Sequence, residues 1–213
     1  MGASLWTAII SRTLSMNQIL EQIHSNAFIL VDRGHAVNVN HIVRVRGNKL
    51  DGVDIRKLSK KESAFIRNQK IGFVFQAYHL IPELNALENL VVPLGYAGMR
   101  KKEREKIAYE LLTEFGIDDL EKKHVSQMSG GEQQRIAIMR AIINKPQILL
   151  ADEPTGNLDK ENSQTIMNLF ERLNKQGMTI VMVTHDTSLA KYGTRVVRVE
   201  DGRIIEKGKE ILK

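Results

Sequence analysis

Residues 148–159 form the stretch ILLADEPTGNLD, which combines an apolar run with two carboxylates. Its first half is a short apolar run, which is typical of a strand buried inside a sheet. The run ends at Asp152 and Glu153, two adjacent carboxylates that precede Pro154. Ligands of open α/β sheets bind at the carboxyl ends of the strands, so both carboxylates are candidates for a functional site. An ordinary turn before Pro154 is the alternative.

Helical patterns flank this strand on both sides. Ser129 and Glu132 have the spacing of a capping box, which opens a helix that ends before Pro146. Residues 160–175 carry apolar side chains at helical intervals, and Gly177 closes this second helix. Strands that alternate with helices predict an α/β fold, with a parallel sheet and helices on both of its faces.

Two further apolar runs also end in polar side chains. Residues 71–75 lead into Gln76, and residues 179–184 lead into His185. Taken singly, Gln76 is more often a surface amide, and His185 is more often a loop or capping residue. Because the carboxyl ends of parallel strands meet at one edge of the sheet, these endings together predict a single site.

The side chains in this predicted site suit phosphoryl transfer. Asp152 can hold Mg²⁺ directly or through water, and Glu153 can orient and deprotonate an attacking water. We expect His185 to contact the transferred phosphoryl group and Gln76 to ligate the metal. A metal, a positioned water and charge stabilisation are the parts that phosphoryl transfer requires.

A second anion-binding element is predicted by residues 129–132, which read SGGE. Two glycines at a helix start let backbone N–H groups approach an anion closely, and the helix dipole adds positive potential there. An ordinary capped helix is the plainer interpretation of this short string when it is taken alone.

Composition and charge exclude several classes of protein. The chain has 213 residues, no cysteine and a net charge of +6, so a disulfide framework and a thiolate metal site are excluded. The basic run at residues 100–104 is interleaved with glutamate, which favours a solvated helix face over a nucleic-acid groove. No apolar stretch reaches the ~18 residues that span a bilayer, so we expect a cytoplasmic chain that needs a membrane-spanning partner for any membrane process.

Taken in order, these segments resemble the ATP-binding subunits of ABC transporters. Residues 129–135, SGGEQQR, resemble the signature motif of that family. Residues 148–159 resemble its Walker B strand and the D-loop that follows. Gln76 falls at the Q-loop position and His185 at the switch-histidine position. The resemblance runs from about Leu50 to the last residue of the sequence.

Shorter segments are similar to the lipoprotein-release and macrolide-export branch, which also includes relatives that export or resist antimicrobial peptides. These segments are residues 72–82, 87–90 and 96–98. Met128 and Glu132 depart slightly, because Leu and Gln are more usual there. The branch implies a P-loop NTPase-like parallel sheet within an ABC ATPase domain at residues 49–213, with a helical signature subdomain at about residues 77–145.

The resemblance also implies cofactors, roles and partners. The implied reaction is hydrolysis of ATP to ADP and phosphate, with Mg²⁺ held by Asp152 and Gln76. Glu153 is implied to be the base, and His185 and Gln76 are implied to be further catalytic residues. The residues implied to contact ATP across a dimer interface are Ser129, Gly130, Gly131, Glu132 and Asp159. The implied partners are a transmembrane permease subunit and a second ATPase subunit, and no nucleic acid. The chain would then be peripheral on the cytoplasmic face of the cell membrane.

Residues 1–48 depart from the family. The string G-x-x-x-x-G-K-[ST], whose amides wrap phosphates and whose lysine neutralises them, does not occur in the sequence. The resemblance places that lysine near Ala27 and Phe28. We therefore expect a sheet without the strand that precedes the phosphate loop, and no ATP hydrolysis by the chain alone.

Two explanations of this departure remain open. One is a disrupted reading frame or a wrong start, which the intact motifs downstream favour. The other is a degenerate, non-hydrolysing subunit that only lends its signature motif to a partner ATPase. A soluble ABC protein of translation or DNA repair is disfavoured, because the chain is short and lacks a long coiled-coil insertion.

Overall fold

The computed structural model describes residues 6–11, 28–32, 35–38, 49–50, 53–54, 59–200 and 203–207. Its strands are β1 Trp6–Ser11, β2 Phe28–Asp32, β3 His35–Asn38, β4 Lys49–Leu50, β5 Val53–Asp54, β6 Ile71–Phe75, β7 Ile148–Asp152, β8 Thr179–Thr184, β9 Arg195–Glu200 and β10 Arg203–Lys207. Its α-helices are α1 Lys60–Lys70, α2 Ala86–Tyr96, α3 Lys101–Glu114, α4 Gly130–Ile142 and α5 Lys160–Lys175. Short 3₁₀ helices cover Asp118–Leu120, Val125–Gln127 and Thr187–Tyr192.

The main sheet of the described residues has six strands in the order β10-β9-β1-β8-β7-β6. The five strands β6, β7, β8, β1 and β9 run parallel to their neighbours in the sheet. Strand β10 pairs antiparallel with β9 at one edge. The predicted α/β fold with a parallel sheet is therefore confirmed. Two separate antiparallel pairs are formed by β2 with β3 and by β4 with β5.

Strand β1 fills a central position that the sequence analysis expected to be missing. Ile9 is opposite Val183 of β8 on one side and opposite Val197 of β9 on the other. The expectation of a sheet without this strand is therefore wrong for Trp6–Ser11. A short run of β-branched residues suits a strand paired on both edges, but the run carries no motif that identifies it. Residues 12–27, which follow the strand, lie outside the described residues.

The helices pack on the sheet and on one another through buried apolar side chains. Helix α4 contacts β6, α2 and α5, and so links the sheet to the helical part. Ile136 and Met139 of α4 and Ile166 and Phe170 of α5 are at most 1% exposed. Burial of side chains of this size stabilises the fold by about 1.5–3 kcal/mol each. Within the described ranges, no helix is long and apolar enough to cross a membrane.

A buried asparagine fixes the loop before α2. Asn89 is fully buried, and its Oδ1 accepts a hydrogen bond of 2.8 Å from the Ile81 N–H. Its Nδ2 donates to the carbonyls of Ile81, Leu84 and Asn85. Asn85 also forms the N-cap of α2, in a capping box with Glu88. The loop that leads from the end of β6 to α2 is therefore held at several points.

Candidate active site

The register of the sheet brings the strand endings side by side. Asp152, the last residue of β7, is opposite Phe75 of β6 on one side and Val183 of β8 on the other. Gln76 follows β6 directly, and Glu153 follows β7 directly. The structure thus places these polar residues, and those that follow β8, along one edge of the sheet.

Glu153 and His185 are in direct contact. The His185 backbone N–H donates to Glu153 Oε1 at 2.8 Å, and His185 Nδ1 lies 2.9 Å from the same oxygen. The other oxygen, Oε2, accepts a bond of 3.2 Å from the buried Thr184 hydroxyl. Because a carboxylate only accepts, Nδ1 carries the proton and Nε2 is the ring atom that points away from Glu153. This hydrogen bond and the charge of Glu153 raise the pKa of His185.

Glu153 also adopts an unusual backbone conformation. Its φ of 45° lies in the left-handed region, and its N–H donates to the Val183 carbonyl at 2.9 Å. Such conformations cost of order 1–3 kcal/mol in a non-glycine residue, and they persist where the surrounding structure determines them. The conformation turns the carboxylate across the sheet edge from β7 towards β8. Sequence patterns cannot reveal this turn, and Thr184 was likewise not predicted as part of the site.

Gln76 makes its side-chain contact with the loop between β7 and α5. Gln76 Nε2 donates to Asn157 Oδ1 at 3.1 Å, and Asn157 Nδ2 donates to the Gln76 carbonyl at 3.1 Å. A Cβ atom on Gly156 would lie 2.7 Å from Gln76 Nε2, so a side chain there would displace the carboxamide from its present position. Sequence analysis did not single out Asn157, because the residues lie 81 positions apart.

Ser129 is exposed at the start of α4 and forms the predicted capping box. The Glu132 N–H donates to Ser129 Oγ at 3.3 Å, and the Ser129 N–H donates to Glu132 Oε2 at 2.7 Å. Lys123 Nζ lies 2.9 Å from Glu132 Oε1. The hydrogen bonds from Lys123 and from the Ser129 backbone lower the pKa of Glu132. Glu132 therefore serves as a paired cap residue within this chain.

The two glycines of the SGGE string allow close approach of neighbouring segments. A Cβ on Gly130 would lie 2.9 Å from the Tyr78 hydroxyl, and a Cβ on Gly131 would collide with the Asn162 side chain. Asn162 donates from its backbone N–H and from Nδ2 to Asp159, the N-cap of α5, at 2.8 and 2.7 Å. These hydrogen bonds lower the pKa of Asp159. The role of Asp159 towards a nucleotide stays a prediction.

An arginine of α4 holds the turn that follows Gln76. Arg140 Nη1 donates to the His79 carbonyl at 2.7 Å, and Nη2 donates to the Tyr78 carbonyl at 2.9 Å. Tyr78 and His79 have φ values of 58° and 50°, so two consecutive non-glycine residues adopt the left-handed conformation. Burial lowers the pKa of Arg140. The signature helix α4 is thereby joined to the segment after Gln76, a contact that the sequence did not predict.

The donor set fits a magnesium ion that is carried by a nucleotide. Asp152 is half-buried at the end of β7, and Gln76 offers a carboxamide oxygen from the neighbouring strand end. In the part of the chain that the structure describes, no group of three or more His, Cys, Asp or Glu could hold a metal by itself. Mg²⁺ is usually bound through one or two protein ligands together with waters and substrate phosphates. The described residues suit that arrangement.

Known proteins with similar sequences include ATP-binding proteins and ATP-binding/permease proteins. The lipoprotein-releasing system ATP-binding protein LolD of Aquifex aeolicus is 46% identical over 73% of this chain and 70% of its own length. The macrolide export ATP-binding/permease protein MacB of Syntrophobacter fumaroxidans is 46% identical over 73% of this chain and 22% of its own length. An uncharacterised ABC transporter ATP-binding protein of Thermotoga maritima is 47% identical, and the chain covers 66% of its length.

The fold and the family model agree with these relatives. The dimeric bacterial ABC transporter cassette MJ0796 has a TM-score of 0.72 and 33% identity, over 98% of this chain and 86% of that chain. The ABC transporter family model matches residues 36–156. The boundary expected between residues 48 and 49 stays a prediction. With the family match, the relatives and the fold in agreement, this chain belongs to the ABC transporter family, as an ATP-binding subunit.

Proposed function

We propose that this chain powers export or extraction of a substrate through a partner membrane protein, by hydrolysing ATP at the edge formed by Gln76, Asp152, Glu153 and His185. The observation that carries the proposal is the hydrogen-bonded pair of Glu153 and His185 next to Asp152. Two relatives of this chain, LolD and MacB, are named for lipoprotein release and macrolide export. We expect the membrane partner to select the transported substrate, because resemblance to a family identifies the ATPase and not what is transported.

The geometry supports Glu153 as the base that activates water. Its Oε1 is held by the backbone and the ring of His185, while Oε2 has one hydrogen bond, from Thr184. A carboxylate oxygen can accept two hydrogen bonds, so Oε2 keeps capacity for a water molecule. Glu153 would take the proton at Oε2, and His185 would keep the carboxylate oriented. The His185 ring then presents Nε2 to the departing phosphate.

Asp152 and the Gln76 carboxamide oxygen would hold Mg²⁺ together with the phosphates of ATP. When it is bound, Mg²⁺ neutralises charge on the phosphate oxygens and so assists their displacement. The residues of this chain contribute the position of the ion, and they do so from two adjacent strand ends.

The signature segment is proposed to serve the ATP of a second subunit. Ser129 is exposed, and the first N–H groups of α4 have no intrahelical acceptor. A helix N-terminus favours anions, because the free N–H groups and the helix dipole both point towards them. The Lys123 pair offsets the negative charge that Glu132 brings to this surface. The second subunit and the membrane permease would keep the chain on the cytoplasmic face of the cell membrane.

The missing phosphate loop favours a second candidate function. The sequence has no G-x-x-x-x-G-K-[ST] string, so the triphosphate loses the amides and the lysine that would cradle it. A chain of this kind would bind no ATP of its own and would act only through its signature segment. Asp152, Glu153 and His185 would then have no triphosphate to act on, whereas Ser129 would still face the ATP of a partner.

One experiment distinguishes the two functions. The chain is paired with an intact LolD-type ATPase, and the ATPase rate of the purified mixed dimer is measured. If only the signature segment works, Ser129→Arg abolishes the rate, since a bulky side chain would stand where the phosphate approaches, and Glu153→Gln leaves it nearly unchanged. If this chain also hydrolyses ATP, Glu153→Gln lowers the rate as well.

Matched controls come from exposed residues beside the site. Ser126→Arg tests the effect of a bulky cation on the surface before α4, and Glu161→Gln tests the loss of a glutamate in the first turn of α5. Both controls are expected to leave the rate unchanged. A mixed dimer whose rate is insensitive to Ser129→Arg and to Glu153→Gln would refute the proposed function in both forms.

A further inference from the structure

The contact between Gln76 and Asn157 determines which atom of the Gln76 carboxamide, the oxygen or the nitrogen, is left for a ligand. Two hydrogen bonds join the residues, one from Gln76 Nε2 to Asn157 Oδ1 and one from Asn157 Nδ2 to the Gln76 carbonyl, both at 3.1 Å. Each residue is therefore a donor and an acceptor towards the other. Both side chains are exposed to solvent, at the edge of the proposed active site.

The backbone carbonyl determines the orientation of both amides. A carbonyl oxygen can only accept, so Asn157 must direct its NH₂ group towards the Gln76 carbonyl. The Asn157 oxygen then faces the Gln76 side chain and can only be satisfied by an N–H donor. Gln76 must consequently turn its NH₂ group towards Asn157. The atom that this arrangement leaves available is Gln76 Oε1, which is the atom that a hard cation requires.

Neighbouring contacts keep Gln76 in this place. Gly156 lies flush against the Gln76 side chain, since a Cβ there would be 2.7 Å from Nε2 and 3.2 Å from Cδ. On the other side, Arg140 binds the carbonyls of Tyr78 and His79 at 2.9 and 2.7 Å. The Gln76 side chain and the segment that follows it are thus restrained, and Asn157 is left to set the orientation of the amide.

We infer that Asn157 is a positioning residue, which turns the Gln76 carboxamide so that its oxygen and not its nitrogen is offered to the ligand. The part of this inference that concerns a cation rests on the proposed function. The part that concerns the amide orientation stands on the hydrogen bonds alone. Asn157 itself touches neither nucleotide nor metal in this proposal.

Exchange of the side-chain amide protons tests the orientation. Chains labelled with ¹⁵N give NH₂ resonances for each glutamine, and Gln76→Ala identifies that of Gln76. Gln127 is the internal control, because its Oε1 accepts from the His124 N–H while no described hydrogen bond uses its NH₂ group. We expect the Gln76 NH₂ protons to exchange several-fold more slowly than those of Gln127.

The Asn157 variants complete this test. Asn157→Leu, and Asn157→Ala should the leucine variant fold poorly, are expected to bring Gln76 exchange to the rate of Gln127. Gln127 itself should not change in either variant. Equal exchange of Gln76 and Gln127 in the unmodified chain, or unchanged Gln76 protection in Asn157→Ala, overturns the inference.

Binding of Mn²⁺ alone tests the consequence for a cation. Mn²⁺ broadens nearby resonances, so we expect it to broaden the Gln76 NH₂ signals at lower concentration than those of Gln127. Asn157→Ala should raise the Mn²⁺ concentration that is required to broaden the Gln76 NH₂ signals about threefold or more. When Gln76 is already replaced by alanine, Asn157→Ala should have no further effect on the broadening of the Ala77 signal. Protected Gln76 without selective broadening would refute the metal role in the proposed function and would still support the orientation by Asn157.

Discussion

Replacement of Arg140 by methionine should destabilise the fold much more than loss of a surface arginine. The guanidinium makes two hydrogen bonds, of 2.7 and 2.9 Å, to the carbonyls of His79 and Tyr78. Hydrogen bonds to charged groups contribute about 1.5–3 kcal/mol each, and release of the half-buried charge to solvent in the unfolded state offsets part of this. We therefore expect Arg140→Met to cost about 2–4 kcal/mol, as methionine keeps the packing of the stem.

The left-handed conformations of Tyr78 and His79 indicate where the loss of Arg140 should be felt first. Each costs about 1–2 kcal/mol relative to the right-handed region, and the hydrogen bonds from Arg140 to both carbonyls help to hold them. Without Arg140 the turn can relax, so the segment after Gln76 should lose its order before the rest of the fold does. Arg140→Lys keeps the charge but not the fork of two parallel donors, so it should cost about half as much as Arg140→Met.

Urea unfolding followed by circular dichroism measures the free energy of unfolding, and amide hydrogen exchange reports on residues 77–81. Arg172→Met is the matched control, because Arg172 is 46% exposed and forms a surface ion pair with Glu114. That pair is worth about 0–1 kcal/mol. A loss below about 1 kcal/mol in Arg140→Met, or equal losses in Arg140→Met and Arg172→Met, would refute the reasoning.

Four further outcomes are expected. The pKa of His185 is raised in the folded chain by Glu153. The stability that this contact contributes is therefore complete below the pKa of the unfolded chain, and it is lost as the pH rises through the pKa of the folded chain. In Glu153→Gln, an NMR titration of His185 should show a lower pKa. Gly131→Ala should lower the thermal midpoint, because the added methyl group collides with Asn162. Asn89→Ala should cost about 2 kcal/mol in urea unfolding, since the Ile81 N–H and the Ile81 and Leu84 carbonyls lose their side-chain partner. If the chain acts only through its signature segment, titration calorimetry of the isolated chain should detect no micromolar MgATP binding, whereas such binding would support hydrolysis of ATP by this chain itself.

Local patterns predicted the elements that surround the site. Helix α5 covers Lys160–Lys175 and strand β8 covers Thr179–Thr184, as the sequence indicated. Such elements can be predicted because periodicity and capping residues are local signals, which lie within the element or a few residues from its ends. Parallel strands bring their carboxyl ends to one edge of the sheet, which explains why Gln76, Asp152 and Glu153 could be expected together from the sequence.

Contacts between distant residues could not be predicted in this way. Arg140 and His79 lie 61 positions apart, and Gln76 and Asn157 lie 81 positions apart. Their pairing depends on how α4 and the loop after β7 meet the end of β6, which no local pattern encodes. The left-handed backbone of Glu153 has the same origin, because the surrounding strands impose it. Strand β1 was missed because a short apolar run has the same appearance in many structures.

The place of β1 has a consequence for how the chain is made. During synthesis, β6 and β7 leave the ribosome well before β8 and β9, yet β1 can pair only with those later strands. Trp6 must therefore wait for Ile180, its partner across the sheet. Until then β7 presents an open apolar edge, the kind of surface that chaperones bind and that leads to aggregation. Closure of so long a loop is slow, so the last strands to be translated determine when the whole sheet can assemble.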